Sequence, residues 1–246
     1  MARLKWAWPA VVALVVSSLY VGLRLASHNW DPAALAEPGS RFQKGIPNGT
    51  EGYDGQFTLY MALDPHPATV APHLDVPAYR YQRILYPILA RVVVAGSPDA
   101  IPWSLLAINL LAHTAGTLAV CGLLRSYGQP PHYAIAYAGW VGLVVAVGTD
   151  LHEPLAFALV AAAWLARRSR RPAVSAALMG LALFAKETSL IFWTAWFFHD
   201  VLFPPTRRNA LGLLAAVLPF AAWHVWLAQT FGSLGLASGG AMATRF

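Results

Sequence analysis

AVSAALMGLALFAKETSLIFWTAWFFHDVLF, residues 173–203, decides how often this chain turns back on itself. The stretch exceeds the roughly 20 apolar residues that one membrane-spanning helix needs. Lys186 and Glu187 interrupt it near the middle. They read either as an ion pair within one long span or as the tip of a hairpin of two short helices. Arginines on either side arbitrate: Arg167, Arg168, Arg170 and Arg171 precede the stretch, and Arg207 and Arg208 follow it. Short cytoplasmic loops carry an excess of Arg and Lys. A hairpin returns both clusters to one side, whereas a single span strands the second outside. The hairpin is therefore expected, with Lys186 and Glu187 at membrane depth, where irregular backbone is tolerated if it lines a protein-walled cavity.

Working outward, further apolar runs cover Trp6 to Leu25, Ile101–Leu124, His132–Thr149, Glu153–Ala166 and Ala210–Phe231. The first follows Arg3 and Lys5 and is expected to stay uncleaved, because Arg24 stands where a signal peptidase needs small residues. The fold class expected is all-α, a polytopic membrane protein of about seven spans. Residues 1–246 form a single membrane domain, with 26–100 as its first extracytoplasmic loop and 101–231 as its helical bundle. That loop holds Asp31, Glu37, Glu51, Asp54, Asp64, Asp75 and Asp99, and two short helices are expected in it, Gly55 to Leu63 and Tyr79 to Ala95. Beyond the last span, the glycine-rich stretch Gly232 to Gly240 reads as the start of a further loop, as in a truncated chain or a naturally short one.

Composition agrees with this reading. Of 246 residues 57% are hydrophobic and 11% charged, whereas soluble domains carry about a quarter charged residues. The net charge of +6 is scattered among apolar runs, which excludes a basic nucleic-acid-binding face and suits topology signals. A single cysteine, Cys121, excludes an intrachain disulfide. The excess of arginine over lysine and the abundant alanine point to a GC-rich bacterial genome, hence to a bacterial inner membrane. No internal repeat is evident.

With the amino terminus in the cytoplasm, ten of the eleven carboxylates fall outside and only Asp200 falls inside. Four short sequences gather on that outer face: Gly52-Tyr53-Asp54-Gly55-Gln56, Tyr79-Arg80-Tyr81-Gln82-Arg83, Thr149 to Pro154 and Ala185-Lys186-Glu187-Thr188. Each allows a structural and a functional reading. Asp54 stands where a helix N-cap would, and Asp150 with Glu153 fits a capping box. On one helix, Arg80, Arg83 and Arg91 share a sector opposite Leu85, Ile88, Leu89, Val92 and Val93. Such an interfacial amphipathic helix serves either anionic headgroups or the phosphate of a lipid substrate. His66 and His73 lack metal-ligand spacing, so spacing does not indicate a divalent metal, and the cofactor requirement stays open. His113 and Asn109 read as interhelical hydrogen-bonders.

In these motifs and their order the chain resembles the GT-C superfamily of integral-membrane glycosyltransferases, in the bacterial branch related to the protein mannosyltransferases and aminoarabinose transferases. The resemblance rests on Gly52 to Phe57, Ala62-Leu63-Asp64-Pro65, Tyr79 to Pro87, Asp150 to Pro154 and Ala185 to Thr188, and covers Gly52 to about Trp193. It implies Asp54 as catalytic base, with Asp150 or Glu153 as a second acidic position. It further implies that Arg80, Arg83 or Lys186 holds the phosphate of a polyprenyl-phosphate sugar donor. Tyr53, Gln56 and Glu187 complete the expected substrate-binding set. The partners implied are that donor, membrane lipids and an extracytoplasmic acceptor. The chain departs from the pattern at Thr58, where a second aromatic is expected, and is shorter than superfamily members usually are. Competing expectations are a transporter or flippase for a lipid-linked or anionic substrate, and a non-catalytic relative that keeps the fold.

Overall fold

In a computed structural model, which describes residues 4–236, the chain is helical with no strand among the described residues. The rest of the 232–240 glycine-rich stretch lies outside them. Helix α1 (Leu4–Ser27) leads into a segment carrying α2 (Ser40–Lys44), α3 (Gly55–Leu63), α4 (Pro67–Val70), α5 (Pro77–Tyr81) and α6 (Leu85–Val93). The bundle continues with α7 (Ile101–Ser126), α8 (Ile135–Ala138), α9 (Val141–Val147), α10 (Glu153–Arg168), α11 (Pro172–Ala185), α12 (Ser189–Leu202) and α13 (Arg207–Phe231).

Among the described residues three helices are long and apolar enough to cross a membrane: Trp6–Ser27, Ile101–Ser126 and Pro204–Phe231. Half of the most apolar window of the second is buried, against 28% in the other two, so α7 is central and α1 and α13 flank it. Their outward apolar side chains face away from protein: Leu23, Leu111 and Leu211 are 73%, 67% and 68% exposed. That surface suits lipid and is unfavourable in water. The 16, 14 and 14 residues of α10, α11 and α12 rise about 1.5 Å each, so these helices are shorter than a hydrocarbon core of about 30 Å.

Ion pairs settle the reading of residues 173–203. Lys186 Nζ lies 2.5 Å from Glu153 Oε1, at the start of α10. Asp200, near the end of α12, pairs with Arg167 near the end of α10. One helix, α10, is thus touched at opposite ends by the link and by the base of the α11–α12 pair, so the pair is a hairpin. Helix α13 then runs parallel to α11, with Gly180 backed onto Ala216 and Gly212 onto Ala176. Small residues there and along α10 (Ala156, Ala163) let the backbones approach closely. Asn109 Nδ2 donates to Leu151 O at 2.9 Å, and Ser17 hydrogen-bonds His113 at 2.8 Å, so both act between helices as their positions in α7 suggested.

Two expected helices are broken. Tyr79 to Ala95 is not one helix but α5 and α6 joined at residues 82–84. Pro87 explains the break: inside a continuous helix its ring would meet the carbonyl of Arg83 and its missing N–H would leave that oxygen unbonded. In the first turn of α6 neither problem arises. The guanidinium stripe goes with the helix. Arg80 and Arg83 are each 5% exposed, while Arg91 turns to the carbonyls of Ala62 and Leu63. The run His132–Thr149 is likewise divided into a 3-10 turn (Pro131–Ala134), α8 and α9. Gly139, a poor helix former, stands at the break, and the following Trp140 stacks on Phe157 with centroids 5.9 Å apart.

A core of Leu59, Tyr86, Ala90, Ile101, Leu105 and Leu155 ties α3 and α6 to α7 and α10. The connecting segment is thereby packed onto one end of the bundle, the end that also carries the 148–152 and 186–188 links. Arg125, the 167–171 cluster and Arg207 lie at the other end, with Arg125 over the Trp6 ring at the start of α1.

Candidate functional site

Three ion-paired cations line up where α3, α5, the start of α10 and the hairpin tip meet. Arg80 is gripped through Nε and Nη2 by Asp75 at 2.7 and 2.8 Å, and the same Nη2 lies 3.0 Å from Asp54 Oδ1. Arg83 forms a second fork with Glu187, at 2.7 and 2.6 Å, and also donates to the Tyr79 hydroxyl. Lys186 and Glu153 make the third pair. The Tyr79 ring lies under both arginines, 5.3 Å from the Arg80 guanidinium and 4.4 Å from that of Arg83, and Phe57 packs 4.2 Å from Arg80. The arrangement is rigid because each arginine fork is planar and matched by two carboxylate oxygens.

Burial sorts the carboxylates. The Asp75 side chain is 3% exposed, those of Glu187 and Glu153 20% and 27%, and that of Asp54 51%. Asp54 therefore presents its carboxylate to the outside while Arg80 holds it from beneath. Burial works against the charge on Arg80, but its bonds to Asp75 and Asp54 more than offset that and raise its pKa. Arg83 is raised in the same way, with Glu187 overcoming its burial.

Neither capping reading survives. Asp54 has helical backbone angles and makes no side-chain cap bond to α3. At α10 the N-cap position belongs to His152, whose side chain also makes no cap bond, and Glu153 turns to Lys186 instead. Asp150 is 1% exposed, and neither of its carboxylate oxygens has a hydrogen-bond partner among the described residues. Burial pushes its pKa up to about 8, with the Tyr86 hydroxyl and Arg24 pulling the other way. That hydroxyl is a weak counterweight because its own hydrogen goes to Leu105 O at 2.8 Å. Asp150 is thus held as a neutral acid at neutral pH. Its φ of 52° lies in the left-handed region, which aspartate tolerates better than most residues.

Gly55 connects the two aspartates. A Cβ there would stand 2.1 Å from the Thr149 carbonyl, so glycine alone lets the start of α3 press on the link that carries Asp150. Gln56 is spent nearby on backbone: it accepts from Gly39 N at 2.9 Å and donates to Glu51 O at 2.7 Å. Its placement is that of a clamp on the connecting segment. Tyr53 stands at the rim, 44% exposed.

Of the residues singled out from sequence, the structure brings together Asp54, Arg80, Arg83, Glu153, Lys186 and Glu187, with Tyr53 beside them and Asp150 and Gln56 in the packing underneath. Asp75, Tyr79 and His152 were not singled out. Asp75 precedes Pro77, the first residue of α5, and an acid before a helix-initiating proline was the signal available. His152 lies under the cluster, its pKa driven well down by burial and then by Arg83, Lys186 and Arg80. It is therefore neutral, 3.5 Å from the Thr58 hydroxyl. The aromatic expected at position 58 would collide with that imidazole.

Chemically, the cluster offers an accessible carboxylate, two buried guanidinium groups and an ammonium within one wall. No family model matches the chain, and no curated protein or solved structure matches it.

Proposed function

We propose that this chain is a bacterial membrane glycosyltransferase of the GT-C type. It transfers a sugar from a polyprenyl-phosphate donor to an acceptor hydroxyl on the extracytoplasmic face. In this reading the seven bundle segments cross the inner membrane alternately, with the amino terminus and the arginine-rich end in the cytoplasm. The observation that carries the proposal is the sorting of carboxylates: motifs more than a hundred residues apart converge on one wall, and Asp54 is the acid they leave exposed, 3.0 Å from a guanidinium.

Asp54 serves as general base for the acceptor oxygen as it attacks the anomeric carbon. Charge gathers on the departing phosphate, which preorganised cations stabilise. Lys186 suits that task best. Its side chain is more exposed than either arginine, 15% against 6%, and it has one carboxylate contact to exchange rather than a fork. Arg80 and Arg83 then act chiefly to hold Asp54 and Glu187 in place.

The test is to reconstitute the purified protein in vesicles and supply a panel of radiolabelled polyprenyl-phosphate sugars, following release of the lipid phosphate. Asp54→Asn should fold, insert and bind donor, yet transfer sugar about two to four orders of magnitude more slowly. Transfer at the native rate by the folded variant refutes the assignment, and an unchanged donor pool across the whole panel refutes the activity.

A further inference from the structure

At the arginine-rich end, remote from this wall, two cavities adjoin. One, of about 480 Å³, lies between α7, α8, the α8–α9 break, α10 and α12 and is lined by apolar side chains such as Val120, Leu124, Phe157, Val160 and Phe192. The other, of about 830 Å³, is lined by Arg167, Arg168, Arg170, His199, Thr206 and Asn209. Tyr127 and Trp164 line both. An apolar slot thus opens beside a cationic one across two amphipathic aromatic side chains.

The charge there is not used up internally. Asp200, the one carboxylate of the 166–209 stretch apart from Glu187 at the far tip, is bound by Arg167 and flanked by His199. Arg168 gives one hydrogen bond, to Ser126 O at 3.2 Å, and lies 4.8 Å over the Tyr127 ring. Among the described residues the Arg170 side chain makes no hydrogen bond or ion pair, and its backbone φ of 58° places it at the α10–α11 turn. Two guanidinium groups therefore face the larger cavity with no counter-charge among the described residues. Forked donors of this kind match phosphate oxygens, and the adjoining slot supplies an apolar wall for a chain. A soluble anion would leave the slot empty, and a neutral lipid would leave the arginines unmatched.

We propose that this end of the protein holds one anionic phospholipid of the surrounding leaflet, its phosphate on Arg168 and Arg170 and an acyl chain in the apolar slot. Bound there, the lipid joins α7 to α10 and braces the base of the α11–α12 hairpin. The site is separate from the candidate catalytic wall, since the whole length of α10 lies between Arg168 and Glu153, and the proposal does not depend on the transfer reaction.

The experiment uses the full chain, delipidated in detergent and titrated with phosphatidylglycerol or phosphatidylcholine of the same chains, with bound lipid counted by native mass spectrometry. One equivalent of phosphatidylglycerol should be retained in preference to phosphatidylcholine. Arg168→Gln and Arg170→Gln, both at exposed positions, should each reduce that preference about fivefold. Arg208→Gln, exposed but outside the cavity lining, should leave it unchanged. Glycerol phosphate and inorganic phosphate, which have no chain, should not displace the lipid. Equal retention of the two lipids, an equal effect of Arg208→Gln, or displacement by millimolar phosphate each overturns the proposal.

Discussion

Asp150→Asn should make this protein more stable, and increasingly so as pH rises. The native fold keeps the Asp150 carboxyl buried with no hydrogen-bond partner among the described residues and its pKa near 8, against an ordinary value of 3.8. The folded state therefore holds a proton that the unfolded chain releases. Because the unfolded state binds fewer protons between these two values, stability falls as pH rises from about 4 to about 8 and levels off above. At pH 7 the gap spans about 3 units, and each unit corresponds to 1.36 kcal/mol, so the penalty is about 4 kcal/mol before any relaxation of the site. An amide of the same shape carries no charge at any pH and avoids it. The assay is denaturant unfolding of both proteins in mixed micelles at pH 5 and pH 8. The difference between them isolates this one group, since every other titration is common to both. The variant should gain little at pH 5 and several kcal/mol at pH 8. A difference that does not change with pH would refute the claim that Asp150 is a buried neutral acid, and would reopen its candidacy as a catalytic base.

Gly55→Ala should impair transfer together with stability, because its Cβ would stand 2.1 Å from the Thr149 carbonyl. Relieving that clash moves the start of α3 and Asp54 with it, so thermal unfolding should show a loss of about 1–3 kcal/mol; a variant of native stability and rate would show that the contact is slack. Glu187→Ala leaves the Arg83 guanidinium buried without its fork and should destabilise by about 3–5 kcal/mol, whereas replacing both residues with apolar ones of similar volume should recover most of that; a harmless single substitution would mean that water replaces Glu187. Cysteines placed at Asn48 and Asp99 should react with an impermeant reagent from outside intact cells, and one at Ser169 should not. Cys121 is buried and should contribute no background, so labelling of Ser169 from outside would invert the proposed topology.

The hairpin was legible because its evidence is local and electrostatic: a hairpin returns the arginines before residue 173 and after residue 203 to one end of the bundle, and the two ion pairs of α10 hold the arms in that arrangement. The gathering of motifs was legible for the same reason, since topology alone sends Asp54, Arg80, Glu153 and Lys186 to one end. The division of Tyr79 to Ala95 was also written in the sequence, at Pro87, but amphipathic periodicity ran smoothly across it and hid the steric fact. Asp75 was harder to find. It lies five residues from Arg80, a spacing that no helix face brings together, and meets it because the chain turns at Val76 into the proline-initiated α5.

What no local pattern contains is the distinction between Asp54 and Asp150. Both precede a helix in a short polar run, and each, read from its own residues alone, allowed a cap or a functional acid. They are separated by one contact between segments almost a hundred residues apart. Gly55 lets the first turn of α3 settle on the Thr149 carbonyl. The 149–152 link is covered by that helix, by Tyr86 and by α7, whose Asn109 ties down Leu151, so Asp150 loses water and its charge. Asp54, one residue before the same glycine, lies on the uncovered side of the contact, where Arg80 steadies it and solvent reaches it. Burial of one carboxyl and presentation of the other are thus two consequences of a single close approach. This is why Gly55→Ala is expected to disturb both, the stability profile through Asp150 and the transfer rate through Asp54.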